Sequence, residues 1–433
     1  MQANKLHIIN PEDNYFSAAI LFIVLFLFMR FCHVTTFYPP YHFGGDAILT
    51  QMICEALAHR GHEVDVVYCT DAYRLRGDPV TQQETNPYHI RHHALHSRLG
   101  RFSPLITQQT GRPGIKYKKL RKILAAEFDV VHFHNISLIG GPGVLPLSRA
   151  AVTLYTPHDH WLFCAAHVLW KNGKRPCDSP QCFTCSIRSG IPPQLWRYTK
   201  HTERCLESVD AILAPSQFTA DKHHEAGITR PIHVLNSFTN LAPDQSMQGE
   251  KTRRPVFVCA SRLVKSKGVE QLLQSFVQRP GVDLLIAGEG PLGSALRKQY
   301  AAYANIQFLG ALSHDRMETL FGQATAVISP SWGPEVFGMT VLESMACGTP
   351  VIVRRAGGSV EAIEQTSGGL IYETPEELLP LVDRLVADPE LRRSLGEKAR
   401  KEISSQFSEE RWMEQYFDLI RIYRKKSQKS GQI

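Results

Sequence analysis

From Arg30 onward the chain alternates short runs rich in Val, Ile, Leu and Phe with longer amphipathic stretches, and this alternation restricts the fold more than any other feature. A strand that is apolar throughout must be covered on both faces. Helices between successive runs supply that cover, so the pattern predicts parallel sheets of the α/β class. The first set of candidate strands is Phe31–Thr35, Val64–Tyr68, Val130–His134, Val152–Thr156 and Ala211–Ala214. A second set follows at Val256–Ala260, Asp283–Ala287, Ile306–Leu309, Ala326–Ser329 and Val351–Val353, with helices such as Gly268–Gln278 and His314–Gln323 between them. Asn240–Pro255, between the sets, is polar and aperiodic and reads as a linker. A chain of 433 residues exceeds what one core usually serves. The expected division is an apolar extension over 1–29, a first domain over 30–240 with a cysteine-rich insertion at 160–190, a linker at 241–255, a second domain over 256–405, and a helix with a basic tail over 406–433.

Hydrophobic content of 43% and charged content of 21% are those of a globular protein. The net charge of +7 is concentrated partly in the run 116–122 and partly in the tail 424–429. These runs read either as solvated faces or as attraction to an anionic membrane surface. No nucleic-acid module accompanies them, so nucleic acid is not an expected partner. The segment Phe16–Met29 is strongly apolar but short of the roughly 20 residues a membrane span needs, and no small-residue cleavage site follows it. Three readings stay open: an extension upstream of a true start at Met29, a membrane anchor, or a packed or disordered segment.

The stretch 329–353, SPSWGPEVFGMTVLESMACGTPVIV, carries the densest chemistry. A buried strand ends at Ser329-Pro330. Gly338 then permits a tight turn into a helix over Met339–Cys347, which Gly348 and Pro350 close. Glu335 therefore sits in a loop at the carboxyl end of a strand, and Glu343 lies further along, on the helix. Open α/β sheets bind ligands at that end, where a helix N-terminus offers unpaired N–H groups to anions. Two carboxylates beside such an anion site suit a ligand bearing both hydroxyls and phosphates. Arg262 and Lys267 follow the first strand of the second set and supply a fork and a mobile point charge for phosphate oxygens. In the first set, Gly44-Gly45 precedes a helix, and His158-Asp159-His160 and His134-Asn135 follow strands.

These motifs resemble, in order, those of the retaining family 4 glycosyltransferases, the glycosyl transferases group 1. Glu335 and Glu343 match its E-x7-E pair. Ser261-Arg262-Leu263-Val264-Lys265-Ser266-Lys267-Gly268 resembles its G-R-L-x-x-x-K-G, with Ser261 in place of the usual Gly. Ala287-Gly288-Glu289-Gly290-Pro291, Ala356-Gly357-Gly358 and Glu361 fit as well. The likeness runs from Met29 to the C-terminal helix. It implies the GT-B architecture, two Rossmann-like domains facing across a cleft, with a last helix around Glu409–Arg424 crossing back to the first domain. It implies a nucleotide-sugar donor and a saccharide, lipid-linked or small-molecule acceptor, in bacterial polysaccharide or glycolipid synthesis. Catalysis would rest on His158, Glu335, Arg262 and Lys267, with no cofactor needed for the chemistry. The donor would be bound by Gly44, Gly45, Arg262, Lys267, Glu335, Phe337, Gly338 and Glu343. Glu343 would accept from the ribose hydroxyls, Glu335 and His158 would touch the transferred sugar, and the backbone around Phe337 and Gly338 would face the phosphates. Asp159 and His160 would orient His158, and His134-Asn135 is a weaker acceptor-side candidate. The expected location is cytoplasmic, at the inner face of the membrane where an acceptor is lipid-linked.

Cys164, Cys177, Cys182 and Cys185 form C-x12-C-x4-C-x2-C in the insertion, a spacing open to structural zinc, free thiols or disulfides. The G-x-G-x-x-G at Gly288–Gly293 lacks the context of a dinucleotide fingerprint, because its strand is not the first of its domain and no acidic ribose ligand ends the next. Two other functions fit the same chain less well: a nucleotide-sugar epimerase of the same fold, and a non-catalytic carbohydrate-binding subunit.

Overall fold

The computed structural model describes residues 28–75, 86, 88–241 and 254–430. The apolar segment up to Leu27 and most of the expected linker lie outside the described residues. Met29 is already part of the folded body. It is buried, and its carbonyl accepts from the N–H of Glu63. Among the described residues no helix is long and apolar enough to cross a membrane.

In the first domain the strands are β1 (Arg30–Val34), β2 (Glu63–Cys69), β3 (Arg91–Leu95), β4 (Val130–Phe133) and β5 (Val152–Tyr155). A short antiparallel hairpin, β6 (Trp170–Lys171) and β7 (Arg175–Pro176), lies inside the cysteine-rich insertion. β8 (Ala211–Ala214) and β9 (Ile232–Val234) complete the domain. Seven of these form one parallel sheet in the order β3-β2-β1-β4-β5-β8-β9. The second domain holds β10 (Val256–Ala260), β11 (Asp283–Ala287), β12 (Ile306–Gly310), β13 (Ala326–Ser329), β14 (Val351–Arg354) and β15 (Gly369–Tyr372), in the order β12-β11-β10-β13-β14-β15. All ten expected strands are present, within two residues at their ends. β3, β9 and β15 were not expected. β3 and β9 lie at sheet edges and carry half-exposed, His-containing sequences, and β15 is an edge strand opening on glycine, so none shows a buried apolar run.

Both sheets are doubly wound. Their strand order reverses beside the first strand of each domain, at β1/β4 and at β10/β13. Ligands of open α/β sheets bind outside the carboxyl ends of the strands at such a reversal. The long terminal helix, Glu409–Ser430, packs on the first domain, as the resemblance implies. Trp412, Met413, Tyr416 and Ile420 join the core under β1 and β4. Its ends are fastened by Arg60 to Glu409 at 2.5 Å and by Arg424 to Asp129 at 3.0 Å.

Lys116 departs from the expected basic face. It is buried at 1% exposure, and its ammonium donates to Ser103 Oγ and Thr107 Oγ1. The exposed cations of that run are Lys118, Lys119, Arg121 and Lys122 on the helix Tyr117–Leu124, whose Leu120 and Leu124 enter the core.

Candidate active site

The second-domain half of the site is built on the reversal at β10/β13. The loop after β10 carries Arg262, which is exposed, and a turn of 3-10 helix ending at Lys267. The loop after β13 carries Glu335. Lys267 Nζ lies 2.5 Å from Glu335 Oε1, and Ser331 Oγ donates to the same oxygen. Burial alone would raise the carboxyl's pKa. Lys267, the Ser331 hydroxyl and the nearby Arg262 more than reverse this, so Glu335 is held ionised below the usual glutamate value.

The Glu335 backbone is clamped by the expected glycine turn. Its N–H donates to Ala356 O at 3.1 Å, and its carbonyl accepts from Gly358 N at 2.7 Å. Gly357 between them has φ +79°, and a Cβ there would stand 2.4 Å from the Glu335 oxygen. Gly338 (φ +97°) turns the chain into the helix Met339–Ala346. The Phe337 ring is core, packed at a tilt against Phe407, so only its backbone can meet a ligand. Among the described residues the N–H groups of Phe337 and Gly338 have no protein acceptor. Glu343 lies one turn further on, with no hydrogen-bond donor among the described residues. Burial raises its pKa, opposed weakly by His314. Ser261, standing where the family has glycine, does not need a left-handed backbone. It is tied instead by its N–H to Ala287 O. The Gly288-x-Gly290 motif packs this turn against β11, with Leu263 N donating to Glu289 O, which accounts for its glycines without a dinucleotide.

The first-domain half meets it directly. Gly45 begins the helix Gly45–His59, and a Cβ on it would lie 3.4 Å from Met339, the first residue of the facing helix. Two helix N-termini thus converge across the cleft beside the Lys267–Glu335 pair. Both direct partial positive charge and unpaired N–H groups at one place, the arrangement an anion such as diphosphate requires. Ser216 and Glu361, whose part in joining the domains was not expected, hold the halves together. Ser216 Oγ donates to Val336 O at 2.6 Å, and the Glu361 carboxylate accepts from the N–H groups of Gln217 and Phe218. Ser216 also caps the helix Gln217–Glu225, its Oγ accepting from the Thr219 N–H.

His158 lies half-buried at the end of β5, where it was expected. The other histidines are placed differently from expectation. His134 is completely buried and reaches the cleft only through His158, 2.9 Å from its Nδ1, so it cannot touch an acceptor. Asp159 does not hold His158. Its carboxylate takes the Trp161 N–H and pairs with His167 at 2.7 Å, contacts that outweigh burial and keep it ionised. His160 is buried against Phe163, Phe218 and His223, its pKa pressed down to about 4 by burial. Asn135 donates to Asp46 in the first turn of the glycine-loop helix. A separate cavity of about 130 Å³, lined in part by Phe238, Gln406, Arg411 and Trp412, lies where the terminal helix crosses back, and no site residue lines it.

Among the described residues one group of three metal-capable side chains lies within 4.8 Å, the buried trio His33, His132 and His134. Their nitrogens are mostly committed to one another, to Thr156 and to Tyr416, which leaves no convergent set of lone pairs. The four cysteines of the insertion form no disulfide and are grouped around the β6–β7 hairpin and the helix Cys182–Arg188. The hairpin reaches the site, because Trp170 lies beside Gly333 in the Glu335 loop.

Two family profiles match adjoining parts of the chain: Glycosyltransferase Family 4 over residues 43–242 and Glycosyl transferases group 1 over residues 243–402. The chain belongs to the family 4, group 1 glycosyltransferases. An uncharacterised glycosyltransferase of Methanocaldococcus jannaschii is 25% identical over 408 residues, covering 88% of this chain and 95% of the relative. A lipopolysaccharide core biosynthesis glycosyltransferase of Rhizobium meliloti is 28% identical over 222 residues, 49% of this chain and 64% of its own length. In fold, the sucrose-phosphate synthase of Thermosynechococcus elongatus superposes with a TM-score of 0.69 at 21% identity, covering 91% of this chain and 98% of that one. The Anabaena protein HepE, solved with UDP and glucose, gives 0.64 at 18% identity, covering 91% and 99%. The architecture is GT-B, as the motifs imply.

Proposed function

We propose that this glycosyltransferase moves a sugar from a nucleotide-sugar donor to an acceptor hydroxyl with retention of anomeric configuration. The observation that carries the reading is the meeting of the helix N-termini at Gly45 and Met339 beside Lys267, Arg262 and Glu335. That place suits a diphosphate, with Glu343 available for ribose hydroxyls and His158 facing the sugar from the other domain. The sugar–phosphate bond breaks with its electron pair leaving on the diphosphate, where Arg262, Lys267 and the two helix ends stabilise the new charge. The acceptor oxygen enters from the same face and passes its proton to the departing phosphate oxygen. The state of Glu335 argues against a double displacement on this carboxylate. Its tie to Lys267 and Ser331 makes it a fixed partner in the charge network, whereas a double-displacement hydrolase needs a free nucleophilic carboxylate facing a second acid.

Assembly of a polysaccharide or glycolipid is the setting we favour. Relatives are named for lipopolysaccharide core synthesis and, in Corynebacterium glutamicum, for phosphatidylinositol mannoside synthesis. Phe102, Leu105, Ile115 and Tyr117 are exposed near the cations Lys118, Lys119, Arg121 and Lys122, a pairing of apolar and basic groups that suits an anionic membrane surface. The test is a mass-spectrometric assay with UDP, GDP and ADP sugars over a panel of saccharide and lipid acceptors, with NMR of the product's anomeric proton. Transfer with the donor's anomeric configuration is expected. Donor isomerisation without an added sugar would indicate an epimerase, and inverted product would remove the front-face mechanism.

For the insertion we propose structural zinc. Cys164 and Cys177 each lie within electrostatic reach of Cys182, and the Asn172 N–H donates to Cys185 Sγ at 3.2 Å, an outer-shell contact suited to a thiolate ligand. Closing a tetrahedral site requires the sulfurs to rotate together. Metal analysis of the purified protein should give one zinc per chain, with chelation lowering the melting temperature. Absence of zinc together with an unchanged melting temperature would exclude it.

A further inference from the structure

Three imidazoles form a continuous hydrogen-bonded row from the interior of the first sheet to the cleft. His33 Nδ1 lies 2.9 Å from His134 Nε2, and His134 Nδ1 lies 2.9 Å from His158 Nε2. Neighbouring rings are inclined by only 23° at each step. A neutral imidazole has one N–H and one lone pair. The row can therefore keep both bonds in two ways only. Every ring carries its proton on Nδ1 and donates toward the cleft, or every ring carries it on Nε2 and donates inward.

The two ends of the row decide between them. At the inner end His33 is completely buried, its ring facing Phe31 and His132, and its Nε2 has no partner. The inward arrangement would put an N–H there with nothing to accept it, and orphaned buried donors are rare. At the outer end burial lowers the His158 pKa overall, so this ring too is neutral, while the carboxylates of Asp46 and Asp159 act on it in the sense that favours a bound proton. A negative surrounding stabilises an N–H at the exposed end and destabilises a bare lone pair.

We propose that His33 and His134 are positioning residues that fix His158 in the Nδ1–H form, so that it offers the cleft a neutral hydrogen-bond donor. Burial holds His33 down to about 3 and His134 well below the ordinary imidazole value, so the row stays uncharged at neutral pH. His132 stands outside the row. Its nitrogens are taken by Thr156 and by Tyr416 of the terminal helix, and its ring rests on His134 with centroids 4.1 Å apart. The consequence for catalysis rests on the donor-side reading above: His158 holds a sugar oxygen by its N–H and is not the base that takes the acceptor proton.

The tautomer is measurable without any substrate, by NMR of the full chain with ¹⁵N-labelled histidine, the His158 signals being identified by their loss in His158→Gln. The expected result is a protonated Nδ1 and an unprotonated Nε2. A proton on Nε2, or a mixture of the two forms, overturns the proposal. His33→Asn keeps an amide N–H in place of Nδ1–H and should preserve both the tautomer and turnover. His33→Phe removes the donor. It should mix the His158 forms and lower kcat on the order of tenfold, the value of one hydrogen bond, with KM for the donor little changed. An unaltered tautomer and kcat in the Phe variant would also overturn it. Should that variant fail to fold, the wild-type spectrum still decides. A protein that transfers no sugar leaves the NMR result standing, so the two readings fail separately.

Discussion

At the break in strand order of the first sheet, between β1 and β4, the polar side chains are neutral imidazoles sealed in the core. At the matching break of the second sheet, between β10 and β13, they are charged: Lys267 and Glu335 are tied to each other, and Arg262 stands exposed nearby. In the proposed reading the same topology serves two tasks. A half that holds a leaving diphosphate needs fixed charge that strengthens as the bond breaks. A half that holds a sugar needs donors and acceptors of fixed direction, which neutral imidazoles supply.

The largest expected effect lies on the charged side. Lys267→Ala should lower kcat/KM on the order of 10²- to 10³-fold, the scale for losing one preorganised charge contact in a transition state. Its thermal unfolding should fall only modestly, since Ser331 and the nearby Arg262 still favour the ionised Glu335 carboxylate. Near-normal turnover would show that the charged half is not where catalysis occurs. Next comes Gly357→Val, which places a Cβ against the Glu335 carbonyl at a positive φ. It should destabilise the second domain by about 1–3 kcal/mol in denaturant unfolding and displace Glu335, with activity falling in parallel.

On the neutral side, Tyr416→Phe removes the hydroxyl 3.0 Å from His132 Nδ1 and leaves a buried nitrogen without a partner. A loss of about 1–3 kcal/mol is expected, and it should fall on the first domain, although Tyr416 lies beyond the second in sequence. The smallest effect is electrostatic. Glu335 has a folded pKa below its ordinary value, so its stabilising contribution is present above pH 4.5 and disappears as pH falls through the lower folded value. The stability gap between wild type and Glu335→Gln should therefore close on acidification. A gap that stays constant with pH would mean that the ion pair is not what distinguishes them.

The charged half was largely legible in the sequence, and of the neutral row only His158 was. Arg262, Lys267, Glu335 and the glycines sit in contiguous motifs, because loops at strand ends build that site locally. His33, His134 and His158 come from three strand ends, 101 and then 24 residues apart in sequence, and only the sheet order places them in a row. Their strand sequences read as core, which they also are. Asp159 misled by adjacency: next to His158 in sequence, it faces His167 because consecutive residues leave a strand end in different directions. Lys116 misled by composition, since two hydroxyl acceptors allow a buried ammonium within a basic run.

The most direct measurement is a crystal structure of the protein with a nucleoside diphosphate. The phosphates should lie between the N–H groups at Gly45 and Gly338, within hydrogen-bond distance of Lys267 and Arg262, with the ribose on Glu343. A nucleotide bound elsewhere, or bound there with Lys267 and Glu343 making no contact, would contradict the division of labour between the two sheets.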